Sequence, residues 1–381
     1  MSPSRLVVGV DASRNRSGGA RAHLIGILTE GNPTHHGIDK VHVWAYRSLL
    51  DALPDRRWLV KHNPPALEQS FLRQVWWQRF QFHKELQEAN CSIVLNTDAG
   101  TVGVFRPAVT MSRDMLSYEP GEIERFGVSK MRLRLIALRH LQNRSLRVAD
   151  GAIFLTRHAG RLIQQSCGAL RTVAFIPHGV GEDFKRTRPL EPWPERGSRP
   201  IRCLYVSPIW LIKHQWVVVR AIDALRKRGH DVTITLIGAG GGKAQRLLDE
   251  QLAISDPQRS FVQQVGFVPH HELARHMATA DICVFASSCE NMPNTLVEAM
   301  AVGLPIACSN RGPMPEVLED AGVYFDPEDD VSIASAIERI ITSDKLRLDI
   351  AKRALTLSNK YSWSRCSAET WSFVANVHRS R

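Results

Sequence analysis

Residues 281–309 compress a complete strand–loop–helix–strand unit into one stretch, and no other part of the chain restricts the fold so tightly. Asp281-Ile282-Cys283-Val284-Phe285-Ala286 is a short, almost unbroken apolar run, the pattern of a parallel strand buried on both faces. Asn294 or Thr295 is placed to cap a helix that ends at Gly303, and Pro305-Ile306-Ala307-Cys308 opens the next strand. Two carboxylates eight positions apart sit inside this unit. Glu290 falls in the loop at the carboxyl end of the first strand, and Glu298 on the first turns of the helix. In open α/β sheets, ligands bind outside the carboxyl ends of the strands. Backbone N–H groups between Asn291 and Leu296 are expected to face the same crevice, with the positive end of the helix dipole behind them. A site of this kind offers donors to a diphosphate and acceptors to sugar hydroxyls.

The rest of the chain repeats the alternation of strand and helix. Leu6–Val10, Val41–Tyr46, Ser92–Leu95, Ala108–Met111, Ala152–Leu155 and Val173–Ile176 read as strands of a first half. A long helix is predicted over Leu67–Glu88, with Phe71, Val75, Phe82 and Leu86 as its apolar positions, plus Trp76 and Phe80, and Trp76-Trp77 read as core packing ahead of a sugar-stacking platform. Pro177, Pro189, Pro192, Pro194 and Pro200 mark an interdomain linker. A second run follows, with strands at Arg202–Val206, Val232–Ile237, Phe261–Val265, Ile282–Phe285 and Ile306–Ser309. The pattern predicts two Rossmann-like domains with a ligand cleft between them: 1–180, a linker over 181–200, and 201–360, followed by a terminal helix over 361–381.

A chain of 381 residues fits two domains, and 44% apolar residues suffice for two cores. The net charge of +11 favours anionic partners: phosphorylated substrates, anionic lipid or nucleic acid. Seven cysteines with no C-x-x-C pair point to a reducing compartment and away from zinc. The apolar run at the start is too short for a signal peptide, and nothing approaches the ~20 apolar residues of a spanning helix. A cytoplasmic protein, soluble or attached to the membrane face, is expected.

The Glu290–Glu298 unit resembles the E-x7-E motif of retaining glycosyltransferases of family 4 (group 1), which have the GT-B fold. Pro293-Asn294-Thr295, Glu298-Ala299-Met300-Ala301-Val302-Gly303-Leu304-Pro305-Ile306, Gly312, Pro315-Glu316-Val317 and Gly322-Val323-Tyr324-Phe325-Asp326-Pro327 follow the family's order. The resemblance is strong from about 200 to 370 and looser before. It implies that Lys213 contacts the donor diphosphate, that Glu298 binds the ribose hydroxyls, and that Glu290 reaches the hexose. Asn291, Met292, Pro293, Asn294 and Thr295 would hold sugar hydroxyls or phosphate oxygens through their backbone. Gly238 would occupy the family's glycine turn, Val268 would meet the base through its backbone, and Gly18-Gly19 would form the glycine loop that approaches the donor phosphate. The terminal helix would pack back across the first domain.

Two departures stand out. Pro208 lies where many members carry a second cation, an arginine, and Arg113 replaces a histidine near the reacting sugar. Arg113 is assigned to an acceptor phosphate or to the donor, with a surface salt bridge as the bland alternative. Gly238-Ala239-Gly240-Gly241-Gly242-Lys243 is no P-loop, because only three residues separate Gly238 from Gly242 and Ala244 replaces the hydroxyl.

No metal or other cofactor is expected, since the protein's own cation and N–H groups can meet the charge that grows on the diphosphate. The basic segment from Arg125 to Arg147 carries no acid, and either contacts anionic lipid and a lipid-linked acceptor or is a solvated helix face. No recognition motif supports nucleic-acid binding. The reading is a hexosyl transfer from a nucleoside-diphosphate sugar to a glycan or lipid-linked oligosaccharide. The alternatives are a GT-B-fold nucleotide-sugar epimerase and a non-catalytic binding protein.

Overall fold

The computed structural model describes residues 6–16, 18–195 and 197–380. The chain divides into two compact units, one of residues 1–179 with 361–381, the other of residues 180–360. Each is a parallel sheet flanked by helices.

In the first unit seven strands run in the order β3-β2-β1-β4-β5-β6-β7. They are β1 (Leu6–Asp11), β2 (Ile38–Trp44), β3 (Leu59–His62), β4 (Ile93–Asn96), β5 (Ala108–Ser112), β6 (Gly151–Phe154) and β7 (Val173–Phe175). The central strands β4, β5 and β6 are buried at every residue, which is why they read as plain apolar runs. The edge strand β3 is half-buried throughout and carries Lys61 and His62, so it lacked that signature and was missed. The terminal helix Trp363–Arg379 packs on the Gly18–Thr29 helix. Ser367 Oγ donates to Ile27 O at 2.7 Å, and a Cβ on Gly26 would lie 2.3 Å from the Trp363 ring.

The predicted Leu67–Glu88 helix is broken into a 3-10 turn, Pro65–Glu68, and two helices, Phe71–Phe80 and Phe82–Glu88. Its buried side is also different. Phe71 is exposed and Trp76 half-exposed, whereas Gln74, Trp77 and Gln78 are buried. The cause is polar. Gln78 Nε2 donates to Asp11 Oδ2 at 2.5 Å, Gln74 Nε2 to Ser13 O at 2.7 Å, and Trp77 Nε1 to Glu85 Oε1 at 2.6 Å.

The second unit has six strands in the order β10-β9-β8-β11-β12-β13. They are β8 (Ile201–Val206), β9 (Val232–Ile237), β10 (Val262–Val265), β11 (Ile282–Phe285), β12 (Ile306–Ser309) and β13 (Val323–Phe325). β13, a three-residue edge strand, was not foreseen. The stretch read as a linker, 181–200, belongs to this unit. Phe184, on the short helix Glu182–Arg186, is buried, and Arg199 pairs with the buried Asp281 at 2.7 Å. The prolines there set a packed surface turn instead of a free tether. In this sheet the chain turns from β8 to β9 on one side and reaches β11 on the other. That reversal leaves an opening at the carboxyl ends of β8 and β11, the kind of place where α/β sheets bind ligands.

Candidate active site

Two loops meet at that opening. After β8 the chain passes through Ser207-Pro208-Ile209-Trp210 into a 3-10 turn, Leu211–Lys213, and His214 then takes a left-handed conformation (φ 52°) that starts the helix Gln215–Lys227. After β11 it runs through Ser287, Ser288, Cys289 and Glu290. The loops are stitched together: Ser288 N donates to Ile212 O at 2.8 Å, and His214 Nε2 lies 3.0 Å from Ser288 Oγ. Tyr205 OH donates to Lys213 O at 2.9 Å. These bonds aim the Lys213 side chain, which is only 12% exposed, at the β11 loop. Its ammonium forms an ion pair with Glu290 and donates to Ser287 Oγ at 3.2 Å. An ammonium has three donors, and these contacts use two.

The helix that follows Glu290 spans Asn294–Val302, with Pro293 at its N-cap and no side-chain cap. Neither Asn294 nor Thr295 caps it, because the helix already begins at Asn294. Asn294 N–H turns back to Met292 O at 3.0 Å and Leu296 N–H to Pro293 O at 3.1 Å. Those two donors, expected to be open to a ligand, are therefore satisfied within the chain. Asn291, Met292 and Pro293 are buried, and Asn294 and Thr295 half-buried.

Glu298 is 8% exposed, and its Oε1 lies 2.7 Å from Nε2 of His270. A carboxylate only accepts, so Nε2 carries the proton. The other oxygen, Oε2, is buried without a hydrogen-bond partner, a placement suited to receiving a hydroxyl. The bond to Glu298, aided by its charge and that of Asp183, raises the His270 pKa above its ordinary value. His270 opens the helix His270–Ala278 and meets the Phe184 ring in a tilted contact, with centroids 5.3 Å apart. His270 was not among the residues singled out from the sequence. Its one signal was position, since it lies two residues beyond Val268 in a loop already singled out for the base.

Gly238, at the end of β9, has φ 149°, and a Cβ there would lie 2.2 Å from Ser207 O and 2.8 Å from Pro208 N. The close approach that requires glycine is thus to the β8 loop's own backbone. Gly312, in the loop after β12, has φ 56°, and a Cβ on it would lie 3.8 Å from the Glu290 backbone N.

Residues 200–343 match the family model of glycosyl transferases group 1. The match covers 144 of the 381 residues and falls on the second unit. O-antigen chain mannosyltransferase B of Escherichia coli is 32% identical over 120 residues, covering 32% of this chain and 32% of that protein. The chain thus spans about a third of the length of that curated relative. Sucrose-phosphate synthase from Thermosynechococcus elongatus superposes with a TM-score of 0.79 at 16% identity, over 99% of this chain and 100% of its own. HepE of Anabaena, solved in complex with UDP-glucose, superposes with a TM-score of 0.71 at 18% identity, over 99% and 100%. These likenesses show the fold, which is GT-B.

Lys213, Glu290, Glu298 and His270 all lie inside the matched stretch. Three predicted residues lie outside it. Gly18 (φ 58°) and Gly19 open the Gly18–Thr29 helix, with nothing within 4 Å of a Cβ placed on Gly18. Arg113, just after β5, is no surface salt bridge. Its side chain is 8% exposed, its Nη2 donates to Asn15 Oδ1 at 3.0 Å, and Asp98 is 3.5 Å away. Its Nε and Nη1 are buried without hydrogen-bond partners, and burial lowers its pKa.

Proposed function

We propose that this chain transfers a hexose from a nucleoside-diphosphate sugar to a hydroxyl of a glycan or lipid-linked acceptor, with retention of configuration, as the resemblance to family 4 implies. The observation that supports it best is the meeting of Lys213, Ser287 and Glu290 on two cross-bonded loops at the carboxyl ends of β8 and β11. A cation held there by an acid needs no reorganisation when charge develops nearby.

The reading assigns the remaining ammonium N–H of Lys213 to a phosphate oxygen of the donor. Glu290 holds the lysine in place and takes a hexose hydroxyl with its free lone pairs. The vacant Oε2 of Glu298 accepts from a ribose hydroxyl, while His270 holds Oε1 and fixes the rotamer. Val268 meets the base through its backbone. As the bond between the anomeric carbon and the phosphate oxygen breaks, the acceptor oxygen bonds to that carbon from the same face. Its proton passes to the departing phosphate oxygen, and the nucleoside diphosphate leaves. Gly18 and Gly19 stay assigned to donor phosphate on the resemblance alone, and Arg113, where the chain departs from the family, to an acceptor phosphate or the donor on its unsatisfied guanidinium.

Melting curves with GDP- and UDP-hexoses test donor use, because a bound donor raises the melting temperature. The anomeric coupling constant of the product, read by NMR, tests retention. Failure of every donor to stabilise the protein overturns the reading. A donor isomer formed without acceptor replaces it with epimerisation.

A further inference from the structure

The Phe71–Phe80 helix is turned inside out. Leu72, Trp76 and Phe80 recur at four-residue steps and so share one side of the helix, and they are 77%, 48% and 51% exposed. Phe71, beside them, is 60% exposed. The opposite side, Gln74, Trp77 and Gln78, is fixed to the body of the unit by the hydrogen bonds to Ser13, Glu85 and Asp11. A polar network therefore forces four large apolar side chains outward on one ten-residue helix. Clusters of this kind mark interaction surfaces.

The charge around the face says what it meets. The helix contains Arg73 and Arg79, both exposed, and no Asp or Glu. Arg79 sits over the Phe80 ring at 5.3 Å and Arg14 over the Phe71 ring at 5.7 Å. Trp, Phe and Leu interleaved with arginines on one helix, with Glu85 the acid beside Trp76 already accepting from Trp44 and Trp77, is the composition of a helix that lies in a bilayer interface, with rings at the headgroup level and guanidiniums on lipid phosphates. A protein partner would be expected to find some acidic complement on the rim, and none is on this helix. Among the described residues no helix is long and apolar enough to cross a membrane, so any contact of the helices with lipid is superficial.

The basic helix Lys130–Val148, the segment first considered for this role, is built the other way. Leu135 and Leu146 are buried, Met131, Leu138 and Leu141 half-buried, and Arg134 and Arg144 stand exposed; Leu133 (69%) and Val148 (49%) are exposed as isolated residues fifteen positions apart, with no clustered apolar face. Arg125 is paired with Glu122 at 2.6 Å.

We infer that the Leu72–Trp76–Phe80 face docks the protein onto an anionic membrane surface. The inference needs neither donor nor acceptor, so its failure leaves the transferase reading standing. Co-sedimentation of the full chain with vesicles of phosphatidylcholine, alone or mixed with phosphatidylglycerol, tests it. The wild type should pellet with the anionic vesicles, and Leu72→Glu/Phe80→Glu should lower the partition coefficient at least about tenfold, since two apolar anchors are replaced by charges repelled from the surface. Arg134→Glu/Arg144→Glu should stay within about threefold of wild type, having no apolar anchor to lose. Brominated lipid should quench part of the tryptophan emission, and Trp76→Phe should lose that part, a readout that does not depend on the double variant folding. A wild type that stays in the supernatant, a double variant that pellets equally well, or a concentration-dependent dimer dissolved by the double variant overturns the proposal.

Discussion

His270 Nε2, 28 residues before Glu298 in sequence, donates to Glu298 Oε1 across 2.7 Å, and the contact leaves one buried carboxylate oxygen vacant. An acid held this way is oriented before any ligand arrives. Glu298→Gln keeps the shape and removes the charge that makes the acceptor strong. It should weaken donor binding by about tenfold to a hundredfold, roughly 1.5–3 kcal/mol for a hydrogen bond to a charged group. Calorimetric titration with the donor that scores in the melting screen checks this, and an unchanged affinity removes Glu298 from the ribose.

The same pair gives a pH signature. Because the fold raises the His270 pKa above 6.5, the pair's stabilisation is fully present below that unfolded value and is lost as pH rises through the raised one. His270→Gln should therefore cost more melting temperature at about pH 6 than at about pH 9. A difference that is flat across that window, or larger at high pH, contradicts the assignment. The effect is small, since the histidine is 59% exposed and solvent screens it.

Lys213→Ala removes the ammonium that Ser287 and Glu290 hold in place. Turnover should fall by about 10²–10³, the scale of losing one preorganised charge stabiliser, with a smaller change in donor affinity. Steady-state kinetics separates the two. Transfer near the wild-type rate would show that the leaving charge is met elsewhere.

Gly238→Ala places a Cβ 2.2 Å from the Ser207 carbonyl oxygen. Backbone on both sides leaves no flexible side chain to yield, so the variant should lose at least about 2 kcal/mol of stability, the range for overpacking. Urea denaturation measures it. A variant as stable as wild type would mean that the β8 and β9 loops are looser than they stand.

Much of the domain architecture was legible because parallel strands buried on both faces are apolar without interruption, as in β4, β11 and β12. The strands that escaped are short edge strands: β3 is half-buried throughout and carries Lys61 and His62, and β13, though mostly buried, is only three residues long. Lys213, Glu290 and Glu298 were singled out through the resemblance of their flanking sequence to family 4, and not by spacing alone. Their pairing was not legible. Nothing in the sequence says that Lys213 meets Glu290 while Glu298 turns to His270, since that depends on which strands lie side by side and on the Ser288–Ile212 bond that draws two loops together.

By itself the sequence determined the strand–loop–helix units and the residue types available at their ends, because strand burial and helix termination are local matters of periodicity, glycine and proline. Only the tertiary structure decided which of those residues touch, and which side of the Phe71–Phe80 helix faces water. A helical pattern can be read in either orientation. Here the choice went to Asp11, Ser13 and Glu85, distant groups whose hydrogen bonds to Gln78, Gln74 and Trp77 left Leu72, Trp76 and Phe80 facing outward.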